Sequence, residues 1–260
     1  MQIVAVTNQK GGVGKTTTAI NLGAALAQKG KQVLVFDLDP QGNASTGLGW
    51  SPSERSRTTY DLLLRQVGLP DIVARTAFDL LSIAPGTLDL ASIDVDLADA
   101  PDRLVRLREA IRTDVKRSSF DYMLIDCPPS LNILTLNALV AADTLVVPLQ
   151  AEFFALEGLS QLMLTIREVR RDANARLRIG GVVLTMYDRR NRLSAQVEAD
   201  VRQTMGELVF DTVIPRNVRL GEAPSYAMPI LSYDPTSQGS RAYMGLATEF
   251  LERQHATEAV

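Results

Sequence analysis

The sequence predicts a single α/β domain with a mainly parallel central sheet covered by helices on both faces. Apolar strand patterns alternate with helical ones along most of the chain, and strands joined by helices pair in parallel. A glycine-rich segment, Lys10-Gly11-Gly12-Val13-Gly14-Lys15-Thr16-Thr17, lies between the first strand pattern and the first helix pattern. The 260 residues contain no repeat, low-complexity stretch or linker. One domain over 1–254 is therefore expected, with a frayed tail over 255–260.

Taken in order, strands are expected near 2–7, 32–36, 79–84, 120–125, 144–148, 179–186 and 208–214. Helices are expected near 16–29, 58–66, 102–117, 131–141, 155–172, 192–206 and 238–253. Leu156, Leu159, Leu162, Met163, Ile166 and Val169 recur at helical spacing, as do Leu193, Val197, Val201 and Met205. Both stripes read as core. The segment 50–75 has the weakest pattern.

The glycine segment has the form of a phosphate-binding P-loop. Glycines let the backbone fold so that successive amides face one anion, and the helix N-terminus adds partial positive charge. Lys15 is placed to reach the β- and γ-phosphates of ATP, and the Thr16 hydroxyl to ligate Mg2+. The general pattern has a glycine where this chain has Gln9, and a second lysine, Lys10, stands at the front of the loop. Of five lysines in the chain, two lie in this loop, which argues against a solvated turn.

Asp126 ends an apolar strand, where a carboxylate is costly unless a positive group meets it. Bound Mg2+ would supply that group; a turn aspartate is the plain alternative. Pro128-Pro129 cannot extend a ladder, so a loop begins there. Asp37 and Asp39 follow the second strand, at the end where open parallel sheets bind ligands. Asp39-Pro40 also fits a simple turn.

Composition narrows the chemistry. One cysteine, Cys127, excludes an internal disulfide framework and a self-contained cysteine metal site. One histidine, His255, makes histidine-based catalysis a poor fit. No apolar run approaches a membrane span, and with a strand at the outset no leader peptide is expected, so the expected location is the cytoplasm. The net charge of −3 does not suggest nucleic acid, but eight arginines fall between Arg167 and Arg192. Local fields rather than net charge govern phosphate contacts. Arg189, Arg190, Arg192 and Arg219 are the candidates for DNA-phosphate contact; solvated helix faces are the alternative.

The Lys-Gly-Gly-Val-Gly-Lys-Thr-Thr arrangement resembles the deviant P-loop of the ParA/MinD ATPases. Phe36-Asp37-Leu38-Asp39-Pro40-Gln41-Gly42-Asn43, Asp121 to Ser130, and Ile214 to Leu220 with Glu222-Ala223-Pro224-Ser225 resemble further segments of the same family, nearest its chromosomal ParA (Soj) branch. The resemblance runs from about residue 2 to residue 251.

This resemblance implies an ATPase with ATP and Mg2+ as cofactors. It assigns Lys10, Lys15 and Asp39 to hydrolysis, with Asp39 orienting water, and Asp37, Asp126 and Thr16 to the metal, the aspartates directly or through water. Lys10 would cross to a partner's phosphates in an ATP-joined homodimer. The loop residues Lys10 to Thr17 would cradle the phosphates. Pro215, Arg216 and Asn217 would form the adenine loop. The implied function is chromosome partition: non-specific DNA binding on the nucleoid, and release when a ParB-like adaptor stimulates hydrolysis. A related ATPase positioning a plasmid, chemoreceptor cluster or carboxysome would use the same residues. A MinD-like membrane regulator fits less well, because the tail from Thr248 to His255 lacks a basic lipid-facing stripe. A nucleotide-dependent ligase would share the P-loop but would not require Lys10 or the arginines.

Overall fold

The computed structural model describes residues 1–114, 119–152 and 154–258. Seven strands form one sheet: β1 Gln2–Val6, β2 Val33–Asp37, β3 Ala74–Arg75, β4 Leu81–Ala84, β5 Tyr122–Asp126, β6 Thr144–Gln150 and β7 Arg178–Thr185. Their spatial order is β3-β4-β2-β5-β1-β6-β7, parallel throughout except for the short edge strand β3. The helices are α1 Lys15–Gln28, α2 Asn43–Gly47, α3 Thr59–Leu63, α4 Leu69–Ile72, α5 Ile93–Asp96, α6 Arg106–Asp114, α7 Ile133–Ala141, α8 Ala155–Asp172, α9 Arg192–Met205, α10 Val218–Glu222, α11 Ile230–Tyr233 and α12 Gln238–Glu258.

β2, β5 and β1 are central and nearly all apolar, as strands covered on both faces should be. On one face α1 and α12 pack together, with Leu22, Leu26, Tyr243, Leu246 and Phe250 in their core. On the other face lie α6 to α9, with Leu107, Ile111, Leu139, Leu162, Ile166 and Val201. The α8 stripe is buried at Leu159, Leu162, Ile166 and Val169 as expected. Of the α9 apolar stripe Val197 and Val201 are buried, while Leu193 is 43% exposed.

Three expectations are corrected. The segment 208–214 is not a strand. It touches β7 through the Val182–Val209 bridge and through hydrogen bonds from Phe210 N to Val182 O and Ile214 N to Leu184 O. Between those points the amides of Asp211 and Thr212 donate to the Glu249 carboxylate at 2.8 and 3.0 Å instead of to a strand. Helix α12 does not stop at 253 but continues to Glu258, with Gln254 buried and bonded to Gln2. The helix expected over 102–117 begins at Arg106, and 115–117 lie outside the described residues.

The register fixes the site. Val6 on β1 and Asp37 on β2 both lie opposite Asp126 on β5. The loop after β1 and two carboxylates therefore emerge side by side at the carboxyl edge of the sheet.

Candidate nucleotide site

Gly14 ends the loop in the left-handed conformation (φ 86°) and is the N-cap of α1. Its carbonyl accepts the first helical bond from Thr18 N at 2.8 Å. A side-chain-bearing residue would be strained in this backbone. The loop is braced from β7, where Thr185 Oγ1 donates to Val13 O at 2.8 Å. Asn8 holds the other end: Lys10 N donates to its Oδ1, and its Nδ2 donates to Pro148 O.

The two lysines point differently. Lys15 is buried, and its Nζ donates to Lys10 O at 2.8 Å, which folds the side chain over its own loop. Burial lowers its pKa, against the opposing pull of Asp126, Cys127 and Asp39. Lys10 instead pairs with Glu152, in the loop after β6, and keeps 41% of its side chain exposed.

Asp37 and Asp126 are fully buried neighbours with different fates. Asp37 Oδ2 accepts from Ser45 N and Ser45 Oγ at 2.8 and 2.6 Å, and Oδ1 accepts from Asp39 N at 3.2 Å. Burial still raises its pKa to about 6, although these bonds oppose the rise. Neither oxygen of Asp126 has a well-formed hydrogen bond. Burial and then the Asp37 charge push Asp126 well above the carboxylate range, with the nearby Thr16 hydroxyl and Lys15 opposing. An orphaned buried carboxylate beside a hydroxyl fits one divalent ion that takes its other ligands from phosphate and water. Among the described residues no group of three or more His, Cys, Asp or Glu side chains forms a metal cage of its own.

Two cavities meet over the loop. One of about 330 Å3 is lined by Gly12, Lys15, Thr16, Asp39, Asn43 and Pro129. The other, about 240 Å3 and more apolar, is lined by Pro215, Arg216, Asn217, Leu220, Thr185 and Tyr243. Gly14, Thr17 and Met186 border both. A cavity at the loop bordered by a more apolar neighbour suits a triphosphate joined to a base. Asn217 Oδ1 caps α10 by accepting from Arg219 N at 2.9 Å, so its amide NH2 is the end left to face a ligand.

The matching family model, an AAA domain, covers residues 1–179. The chromosome partitioning protein ParA of Caulobacter vibrioides is 52% identical over 259 residues, covering 100% of this chain and 97% of that one. The chain belongs to the ParA/Soj family of ATPases. The sporulation initiation inhibitor protein Soj of Bacillus subtilis is 49% identical, with 95% and 97% of the two chains covered. Among solved structures, cobyrinic acid a,c-diamide synthase from Mycobacterium smegmatis, with bound ATP analog and magnesium, has a TM-score of 0.87 at 36% identity, covering 98% and 95%. One fold thus carries more than one named activity, and the site must decide between them.

In this ParA/Soj ATPase the arginine candidates separate. Arg189 and Arg190 line a cavity of about 530 Å3 together with Arg216 and Arg241. Arg190 is also paired with Asp188 at 3.2 Å. Arg192 is exposed at the start of α9 and does not line that cavity. Arg219 is apart from it too, bound to Glu222 at 2.9 Å and near Asp234 at 3.7 Å. Sequence reasoning did not single out Ser45, Glu152, Thr185, Met186 or Arg241. Met186, with a left-handed backbone (φ 50°), carries no local signal of that kind, since methionine ordinarily avoids this region.

Proposed function

We infer that this ATPase partitions DNA by switching between a monomer and an ATP-joined dimer. The observation that carries the reading is the split between the two loop lysines. Lys15 folds over its own loop, while the Lys10 side chain is 41% exposed and pairs with Glu152. Such an exposed lysine beside a phosphate site would meet the phosphates of a second protomer. Whole-length similarity to a chromosome partitioning protein supports the cargo.

Within the site, Thr16 and Asp126 would hold Mg2+, which when bound offsets phosphate charge. Asp39 is buried at the wall of the phosphate cavity, with Oδ1 accepting from Gln41 N at 2.9 Å. Its other oxygen is left to orient the attacking water. Positioning of this kind suffices for phosphoryl transfer. Asp37 organises the Asp39 loop from beneath. Pro215, Arg216 and Asn217 would bind adenine.

DNA would be held through phosphates by Arg189, Arg190 and Arg192, with Arg219 contributing once freed from its carboxylates. The cavity adds Arg216 and Arg241 to that face. Binding would be independent of sequence and strongly salt-dependent. A dimer presents two such faces at once, so retention should depend on ATP. A ParB-like adaptor would stimulate hydrolysis and return the protein from the nucleoid to the cytoplasm. The apolar face of α12 is buried against α1, which argues against a membrane-seeking role for that helix. No described helix is long and apolar enough to cross a membrane.

The test is retention on random-sequence DNA with ATP, ADP or no nucleotide, at two salt concentrations, with molecular mass followed by light scattering. ATP-dependent, salt-sensitive retention together with a doubled mass is expected. A mass that does not change when ATP and magnesium are bound would overturn the reading.

A further inference from the structure

Among the described residues no hydrogen bond ties the loop that carries Asp39 to the P-loop. Asp39 to Gly42 forms a turn closed by Gly42 N donating to Asp39 O at 2.9 Å, and it leads directly into α2. What ties this turn down is Arg55, from a segment with weak sequence pattern. Arg55 Nη2 donates to Gly42 O (3.2 Å), Thr46 Oγ1 (2.7 Å) and Trp50 O (2.6 Å). Its Nε donates to Trp50 O at 3.1 Å, and its Nη1 donates to Gly86 O at 2.9 Å. These acceptors are neutral, and four of the five bonds end on backbone carbonyls.

Gly86 belongs to the loop after β4, and its amide donates to Ser45 Oγ at 3.0 Å. Ser45 in turn is the double donor to Asp37. One guanidinium thus joins the Asp39 turn to the second loop that encloses the buried carboxylate. The fit is close. Gly42 has φ 61°, and a Cβ there would lie 2.2 Å from Arg55 Nη1. Gly42 is therefore a glycine both for its backbone and because the guanidinium occupies the space a side chain would need.

We propose that Arg55 is a positioning residue for hydrolysis, its guanidinium fixing the Asp39 turn against the loop at Gly86 so that the Asp39 carboxylate faces the phosphate cavity. Arg55 does not line that cavity, so it acts through Asp39 and not on substrate. The proposal rests on the reading of Asp39 as the residue that orients water. A lysine would keep the charge but could not reach four separated acceptors as the planar fork does. A small displacement of a correctly built group is enough to lower turnover without altering binding.

The experiment compares Arg55→Ala, Arg55→Lys, Gly42→Ala and Asp39→Ala with the unaltered protein. Steady-state ATP hydrolysis, affinity for a fluorescent ATP analogue with magnesium, and ATP-induced mass are measured, with circular dichroism as a fold check. Both Arg55 variants and Gly42→Ala should lose about tenfold or more in kcat while nucleotide affinity stays within about threefold. Added methylguanidine should restore part of the activity of Arg55→Ala and none of Gly42→Ala, where the side chain blocks the seat. A folded Arg55→Lys or Arg55→Ala with kcat within about twofold of wild type would overturn the proposal. So would parallel loss of affinity and kcat in the folded variants without rescue. Should Arg55→Ala not fold, Arg55→Lys and Gly42→Ala carry the same test. Wild-type hydrolysis by Asp39→Ala would sink the underlying reading of Asp39; loss there with normal Arg55 variants would sink only the proposal.

Discussion

Replacing Asp126 with asparagine should make the nucleotide-free protein more stable while disabling it. Asp126 and Asp37 are buried side by side, and the Asp126 oxygens lack well-formed hydrogen bonds. The better-satisfied Asp37 already has its pKa raised from 3.8 to about 6. Two pKa units at about 1.4 kcal/mol each put the cost of its ionised form near 3 kcal/mol. The sign follows from proton binding. Between the unfolded and folded values the native state holds the proton and the unfolded state does not, so stability falls as pH rises through about 6 and the cost is complete above it. Asp126 is displaced in the same direction. Removing its charge should relieve roughly 1–3 kcal/mol at pH 7.5, or a rise in Tm of roughly 3–10 °C for a chain of this size. Melting curves of wild type and Asp126→Asn between about pH 5.5 and 8, with and without Mg-ATP, test this. Wild type without nucleotide should melt higher as pH falls, the variant should show a weaker slope, and only wild type should gain stability from Mg-ATP. A variant that melts lower at pH 7.5 with an unchanged slope would refute the argument.

Two further outcomes are expected. Glu152→Gln should release Lys10 and lower the protein concentration needed for the ATP dimer; a half-exposed ion pair is worth at most about 1 kcal/mol, so the shift should not exceed about fivefold, as measured by light scattering. Arg189→Ala with Arg241→Ala should weaken retention on DNA and flatten its salt dependence, by about one unit of log–log slope for each phosphate no longer neutralised, while ATP-dependent mass is unchanged.

The nucleotide site is legible where its information is local. Gly12 to Thr16 are contiguous, and strand-end aspartates in an apolar run announce themselves by their cost of burial. The parallel sheet follows from alternating patterns, and the order of its central strands places those local signals together. What the pattern misses is long-range or short. Ser45 and Gly86 are 41 residues apart and meet only across the sheet edge. Arg55 lies in a stretch with no periodicity, so nothing in its neighbours marks it. Helices α2, α4, α5, α10 and α11 have four or five residues, too few for a helical period to appear. The segment 208–214 misleads for the opposite reason. Val209, Phe210, Val213 and Ile214 give a strand-like apolar pattern because they are wholly or partly buried, but burial is not pairing, and Glu249 takes the amides a ladder would need.

That same segment decides how the sheet ends. β7 is the outermost strand on its side, and Phe210 packs against it at Gly181, where a Cβ would come within 2.3 Å of the ring. Arg253 stacks 4.4 Å above the Phe210 ring and donates to Glu207 O and Val209 O, both at 2.8 Å. The exposed margin of a sheet is a template on which other chains can add strands. Here the backbone of 208–214 occupies part of that margin by donating to Val182 O and Leu184 O, and Phe210 and Arg253 hold it there, so fewer edge groups are left for another chain to pair with.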